Sequence, residues 1–109
     1  MLTLNLPDSV NTWGARPGVT WILKHSRICP VSDAAKTEVE AYEKAHPDDP
    51  VALVVVQDAR TASDHITRVL GVRHESPQLF LLQQGRVLWH ASHDAITRDA
   101  MEMQRLPGL

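Results

Sequence analysis

Apolar positions run along this chain in two rhythms, and the switches between them divide it into elements. Residues 19–25, Val-Thr-Trp-Ile-Leu-Lys-His, are a dense apolar run of strand length. The period then becomes helical over residues 30–45, with Ala34, Ala35, Val39 and Tyr42 on one face, and His46-Pro47-Asp48-Asp49-Pro50 ends the helix. Residues 51–56, Val-Ala-Leu-Val-Val-Val, form a continuous apolar run of the kind that is covered on both faces, which predicts the central strand. A second helix is predicted over 61–70, with Ile66, Val69 and Leu70 inward and Gly71 as its stop. Residues 79–83 and 87–91 read as a hairpin around Gln84-Gly85, and 96–106 as a last helix. An N-terminal arm, residues 1–18, precedes these elements. It carries a helical turn around 9–15, with Asp8 as candidate N-cap and Arg16-Pro17-Gly18 as the stop. The resulting order is β-α-β-α-β-β-α. Two right-handed crossovers and a hairpin give an α/β fold with a mixed four-stranded sheet and helices on both faces.

A length of 109 residues is enough for one domain, 1–109, with a core of its own, and no repeat, low-complexity tract or long linker interrupts it. No stretch reaches the roughly 20 apolar residues that span a bilayer, and the first residues lack the basic and long apolar regions of a signal peptide. A cytoplasmic protein is expected. Net charge is −2 with both signs interspersed, so neither nucleic acid nor an anionic membrane is an expected partner. A single cysteine cannot close an internal disulfide, and nothing implies an oxidising compartment.

That cysteine is the most pointed chemical feature. Cys29 falls in Lys24-His25-Ser26-Arg27-Ile28-Cys29-Pro30-Val31-Ser32, where a strand gives way to a helix. A sulfur at a helix N-terminus lies beside unpaired amides and the positive end of the macrodipole, which favour thiolate over thiol and make a nucleophile. Pro30 suits the first helical position, where its missing N–H removes no bond. Ser32, three residues after Cys29, brings a hydroxyl and an amide within reach of the sulfur, at the place where a dithiol motif would carry a second cysteine. Arg27 and Lys24 would stabilise the thiolate by their charge, or are simply solvated charges at a strand end. A small buried cysteine that only packs is the competing reading for Cys29.

Six histidines raise the question of a metal. His90 and His93, with Cys29, could supply ligands, but no second cysteine or dense cluster accompanies them, and no metal is expected. His25 is read as closing the first strand, and Trp13, Trp21 and Trp89 as packing residues, with Trp21 and Trp89 able to border a site.

A cysteine at the start of the first long helix and a proline just before the third predicted strand, in Glu75-Ser76-Pro77-Gln78, resemble the thioredoxin fold. The likeness narrows over residues 19–98. Lys24-His25-Ser26 with Cys29-Pro30-Val31-Ser32, Gln57-Asp58-Ala59-Arg60 with Ser63, Val72-Arg73-His74-Glu75-Ser76-Pro77-Gln78, and Leu88-Trp89-His90-Ala91-Ser92-His93 with Ile96-Thr97 are similar to the YtxJ-type monothiol bacilliredoxin family. The resemblance implies a cis-proline at Pro77 lying against the cysteine. It also implies a docking ledge for an incoming chain at Ser76 and Pro77. His74 and Glu75, which precede that ledge, are candidates for shaping the loop or contacting a polar ligand, or are solvated loop residues with an ordinary bond to the backbone. Finally, the resemblance implies Cys29 as the sole redox thiol, with bacillithiol as thiol co-substrate and bacillithiolated proteins as clients. The expected activity is monothiol thiol–disulfide exchange that removes bacillithiol from protein mixed disulfides. A redox-sensing or adaptor protein whose Cys29 is capped by a small thiol is the non-enzymatic alternative, and an interaction module with an incidental cysteine is a third.

Overall fold

The structure, a computed structural model, describes residues 1–105. Its elements are β1 (Leu2–Thr3), α1 (Pro7–Gly14), β2 (Val19–His25), α2 (Pro30–Ala45), β3 (Val51–Val55), α3 (Arg60–Leu70), β4 (Gln78–Gln83), β5 (Arg86–Ser92), a 3₁₀ turn (His93–Ala95) and α4 (Arg98–Arg105). They form a thioredoxin-like α/β fold. The mixed sheet has five strands, not four, in the order β1-β3-β2-β4-β5. The additional strand is β1, which pairs parallel to β3 through Leu2 opposite Ala52 and Thr3 opposite Leu53. Two residues are too few to carry an alternation, so the pairing leaves no mark in the hydrophobic pattern.

The middle strand is β2, parallel to β3 and antiparallel to β4. The sequence pattern favours β3 for that place because every residue of its run is apolar. With β1 beside it, β3 is indeed flanked on both sides, but it lies one strand from the edge. Side chains of β2 alternate between two cores. Trp21 and Leu23 face α2 and α4, packing with Val39, Tyr42, Ile96 and Met101, whereas Ile22 faces α1 and α3, with Val10, Trp13, Ala62 and Ile66.

Several helical details depart from the pattern. α1 is capped by the extended backbone of Leu6 with Pro7 at its first position, so Asp8 is a first-turn residue and not the N-cap; its carboxylate complements the dipole. In α2 the buried face is Ser32, Ala35, Val39 and Tyr42, and Ala34 is exposed. Spacings of 3, 4 and 3 pass through the serine, whose polarity hid it from an apolar count. In α3 the buried residues are Ala62, Ser63 and Ile66, while Val69 is exposed and Leu70 packs partly against the core. Gly71 closes α3 at φ 69°, a left-handed conformation suited to glycine. The hairpin turn has positive φ at both Gln84 and Gly85, as a type I′ turn requires. Where a single helix is expected over 96–106, Ile96 is extended after the 3₁₀ turn and the helix is α4 from Arg98, with Thr97 Oγ1 accepting from the Ala100 amide at 3.0 Å. Leu106, its expected end, lies outside the described residues. No described helix is long and apolar enough to cross a membrane.

Candidate functional site

The C-terminal ends of β2 and β3 gather the chemistry. Leaving β2, the chain runs through Ser26 and Arg27 to Cys29, which is the extended N-cap of the 16-residue α2 (φ −117°, ψ 116°), with Pro30 at the first helical position. The Asp33 amide closes the first turn on the Cys29 carbonyl at 3.1 Å. The amides of Val31 and Ser32 fall in the turn where helical donors have no partner four residues back, at the end where the macrodipole is positive. The sulfur is half-buried and is a free thiol. Around it Ile28 is 84 % exposed and Val31 43 %. A groove of about 380 Å³ runs from Pro30 and Val31 along Ala34 to His93 and Ile96.

Ser32 is fully buried, and its hydroxyl serves the loop: it accepts from the Ser26 amide at 2.9 Å and lies 2.8 Å from His25 Nδ1. His25 Nε2 faces Asp33 Oδ1 at 3.9 Å, an arrangement that suits a proton on Nε2 and makes Nδ1 the acceptor of the Ser32 hydroxyl. Burial holds the imidazole below its ordinary range, reinforced by the charge of Lys36 and opposed by Asp33, so it is neutral at pH 7. On the other side of the loop, the Gln57 amide donates to Ser26 Oγ at 2.8 Å and accepts from the Arg27 N–H at 3.2 Å. The Arg27 guanidinium pairs with Asp58 at 3.0 Å, with both side chains half-exposed.

The Ser76–Pro77 peptide bond is cis. The Pro77 carbonyl accepts from the His93 amide at 3.0 Å, and Glu75 faces His93 across 3.6 Å. The antiparallel ladder with β2 begins at Gln78, leaving the Ser76 backbone outside it, and the Ser76 hydroxyl is buried without a partner among the described residues. Gln78 braces this loop by donating to the Arg73 carbonyl at 2.9 Å and accepting from the Glu75 amide at 3.3 Å.

His74 turns away from its neighbours in the loop. Its Nδ1 lies 3.1 Å from Lys24 Nζ, on the α3 face of the sheet. Lys24 is not a solvated strand-end charge: it is 0 % exposed, donates to Thr67 Oγ1 at 3.0 Å and lies over the Phe80 ring. Burial lowers its pKa to about 8, partly opposed by Asp64. Burial, and then the charge of Lys24, push His74 downward as well. The role of Lys24 was visible in principle, because a lysine inside an apolar run covered on both faces must go into the protein. Gln57 carried no comparable signal; only the fold brings it to the cysteine loop. His90 packs beside Phe80, and among the described residues no group of three or more His, Cys, Asp or Glu is placed to hold a metal.

Comparison with solved structures agrees with this architecture. A thioredoxin-fold protein described as a candidate oxidoreductase superposes with a TM-score of 0.89 at 27 % identity, covering 95 % of this chain and 92 % of its own. A cysteine-to-serine mutant of an Entamoeba histolytica thioredoxin gives 0.74 at 19 %, with 96 % of each chain covered. Oxidised mitochondrial thioredoxin 3 of Saccharomyces cerevisiae gives 0.76 at 12 %, covering 100 % of this chain and 95 % of that one. The last two establish the fold alone. The family model for the monothiol bacilliredoxin BrxC matches residues 7–101, a span that takes in the cysteine loop, the Gln57 and His74 segments and the cis-proline. With Cys29 the only cysteine of a thioredoxin-like chain, the protein belongs to the monothiol bacilliredoxin family.

Proposed function

We propose that this protein is a cytoplasmic monothiol thiol–disulfide oxidoreductase that removes bacillithiol from protein mixed disulfides through Cys29. The observation behind this reading is a lone thiol at the N-cap of a long helix, three residues before a serine whose hydroxyl is already bonded to His25 and Ser26. Cys29 thiolate attacks the bacillithiol sulfur of the mixed disulfide. The bond to the client breaks, the client sulfur leaves as a thiolate and takes a proton from solvent, and a Cys29–bacillithiol disulfide forms. Nothing inside the chain can resolve it. A second molecule of thiol attacks the cap, so the net electron pair comes from the small-thiol pool.

Helix-end amides at Val31 and Ser32 lie at the end of α2 that carries the sulfur, where they can donate to charge that develops on it during exchange, while Pro30 fixes the first turn. Arg27 adds a positive charge tempered by Asp58. Ser76 and Pro77, braced through Glu75 and His93, form the ledge for the client backbone, with His74 behind it. The exposed Ile28 and Val31 give a protein client apolar surface to cover.

The test is mass transfer. Reduced protein is mixed with a bacillithiolated client and both masses are followed. The adduct should leave the client, appear on Cys29 and be released by free bacillithiol; Cys29→Ser should abolish all three. A client that keeps its adduct while Cys29 stays bare would exclude this activity, and a single stoichiometric transfer to Cys29 that free bacillithiol does not turn over would favour a sensor.

A further inference from the structure

Two buried polar side chains, directly opposite each other on neighbouring strands, grip the segment that leads into β4. Lys24 of β2 pairs with Gln78 of β4 in the antiparallel ladder, and cross-strand partners direct their side chains to the same face. Neither reaches solvent, at 0 % and 1 % exposed. Gln78 holds the Arg73 carbonyl and the Glu75 amide, at 2.9 and 3.3 Å. Lys24 holds the residue between them: its Nζ lies 3.1 Å from His74 Nδ1 and 3.0 Å from Thr67 Oγ1 on α3. The consecutive residues Arg73, His74 and Glu75 are thus tied to one strand pair, immediately before the Ser76 backbone that lies outside the ladder.

These ties differ in strength, and the difference decides which of them sets the loop. The pair between Glu75 and His93 is half-exposed on both sides, which leaves it little energy. The Gln78 bonds are neutral, whereas Lys24 donates from an ammonium shielded from water, which makes its bond about twice as strong. A protonated lysine has donors only, so His74 Nδ1 is the acceptor and the imidazole proton sits on Nε2. His74 is otherwise exposed, and among the described residues Lys24 is the one hydrogen-bond partner of its ring. An apolar residue at position 24 would avoid burying a charge, so stability does not account for the ammonium. One residue further along β2, His25 fixes the Cys29 loop on the opposite face through Ser32. Adjacent residues of a single strand therefore set both sides of the site, the thiol and the ledge.

We propose, building on the client ledge put forward above, that Lys24 is a positioning residue for thiol–disulfide exchange: through His74 it holds the Ser76 backbone where an extended client chain pairs with it while its disulfide reacts at Cys29. Lys24 touches neither the client nor the sulfur. A small disulfide, with no extended backbone to pair, gains nothing from the tether. Lys24 therefore governs the preference for a polypeptide disulfide over a small one, and does so while opposing folding.

Two measurements on the whole reduced protein at pH 7 test this. The first is the nitrogen resonances of the His74 imidazole. The proton should reside on Nε2 in the wild type and distribute over both nitrogens in Lys24→Met; a wild-type proton on Nδ1 overturns the tether. The second follows nitrothiobenzoate released from its mixed disulfides with an extended single-cysteine peptide and with N-acetylcysteine. Cys29 thiolate attacks the cysteine sulfur, the bond to nitrothiobenzoate breaks, that thiolate leaves, and the peptide or N-acetylcysteine stays on Cys29. The peptide should react about tenfold faster in the wild type, the worth of a pair of main-chain hydrogen bonds. Lys24→Met and His74→Leu should each cut this preference to about twofold or less, while His74→Asn, whose amide oxygen can accept from Lys24 in place of Nδ1, keeps most of it. The denaturation midpoint of Lys24→Met should not fall; a lower one assigns the lysine to the fold and overturns the positioning role. Equal preference in the wild type and Lys24→Met, no preference in the wild type, or His74→Asn no better than His74→Leu also overturns it. A protein that keeps the peptide preference yet takes no bacillithiol from a client loses the activity proposed above and keeps this role for Lys24.

Discussion

Lys24 and His25 are neighbours in one strand, and their side chains enter opposite cores with opposite consequences. His25 is neutral, bonded to a serine hydroxyl that in turn holds the Ser26 amide, so each polar atom in that chain of contacts has its partner. Lys24 is a buried ammonium whose two described acceptors, Thr67 and His74, are uncharged. A satisfied polar network rigidifies what it touches, here the loop that presents Cys29. A buried charge without a counter-ion opposes folding. The strand thus carries one device that stabilises the site and one that weighs against the fold beside it.

The largest effect should come from breaking the first device. Ser32→Ala leaves the Ser26 amide and His25 Nδ1 without their common partner, both in the interior, and should destabilise the protein by about 2–3 kcal/mol in urea denaturation. Transfer to Cys29 should slow with it. A loss under about 0.5 kcal/mol would mean that the network does not hold the loop.

Lys24→Met sharpens the other half of the comparison. The fall in lysine pKa from 10.5 to about 8 corresponds to about 3 kcal/mol of opposition to folding at neutral pH. Losing the two hydrogen bonds offsets part of this, so Lys24→Met should raise stability at pH 7 by about 1 kcal/mol. The sign with pH follows from linkage. Between pH 8 and 10.5 the unfolded chain holds a proton that the folded chain has released, so wild-type stability rises through that window and the advantage of Lys24→Met shrinks. Above about pH 10 the buried Tyr42 opposes this trend. Its hydroxyl is held protonated by burial and by Asp49, so the stability it contributes is lost as the unfolded phenol ionises near its ordinary pKa of 10. Denaturation midpoints of the wild type and of Lys24→Met, measured side by side from about pH 7 to about pH 9.5, give the lysine by difference; parallel profiles would mean that its charge is solvated.

The smallest effect belongs to Arg27→Ala. Its pair with Asp58 is half-exposed on both sides, which limits the change in stability to about 0.5 kcal/mol and makes it sensitive to salt. A larger loss would show that the loop depends on this pair as well as on Ser32.

What the sequence made legible follows the same division. Strand β2, helix α2, the hairpin and the place of Cys29 are each encoded by a local run, a cap or a turn residue, and local pattern suffices for those. Ser32 was picked out for its distance from Cys29 along the chain, but its bond to His25 depends on how α2 leans on β2. Gln57 and His74 are further removed still: they meet the cysteine loop and Lys24 only because β3 and β4 flank β2. β1 escaped for a simpler reason, since a strand of two residues has no period. Val69 and Ala34 were read as inward by apolar character alone, and in both helices a buried serine, Ser63 or Ser32, lies on the face that the count assigned to apolar residues.

The position of β2 in the middle of the sheet also bears on how the chain reaches this state during synthesis. The strand made earliest among the long ones waits longest for its neighbours, because both are encoded downstream, β3 at Val51–Val55 and β4 at Gln78–Gln83. At about 5–20 residues per second, roughly 60 residues of further translation leave Trp21, Ile22 and Leu23 without their second neighbour for about 3–12 s. A nascent chain stalled before β4 should therefore present its stickiest segment to chaperones, and release of that segment should coincide with emergence of the hairpin.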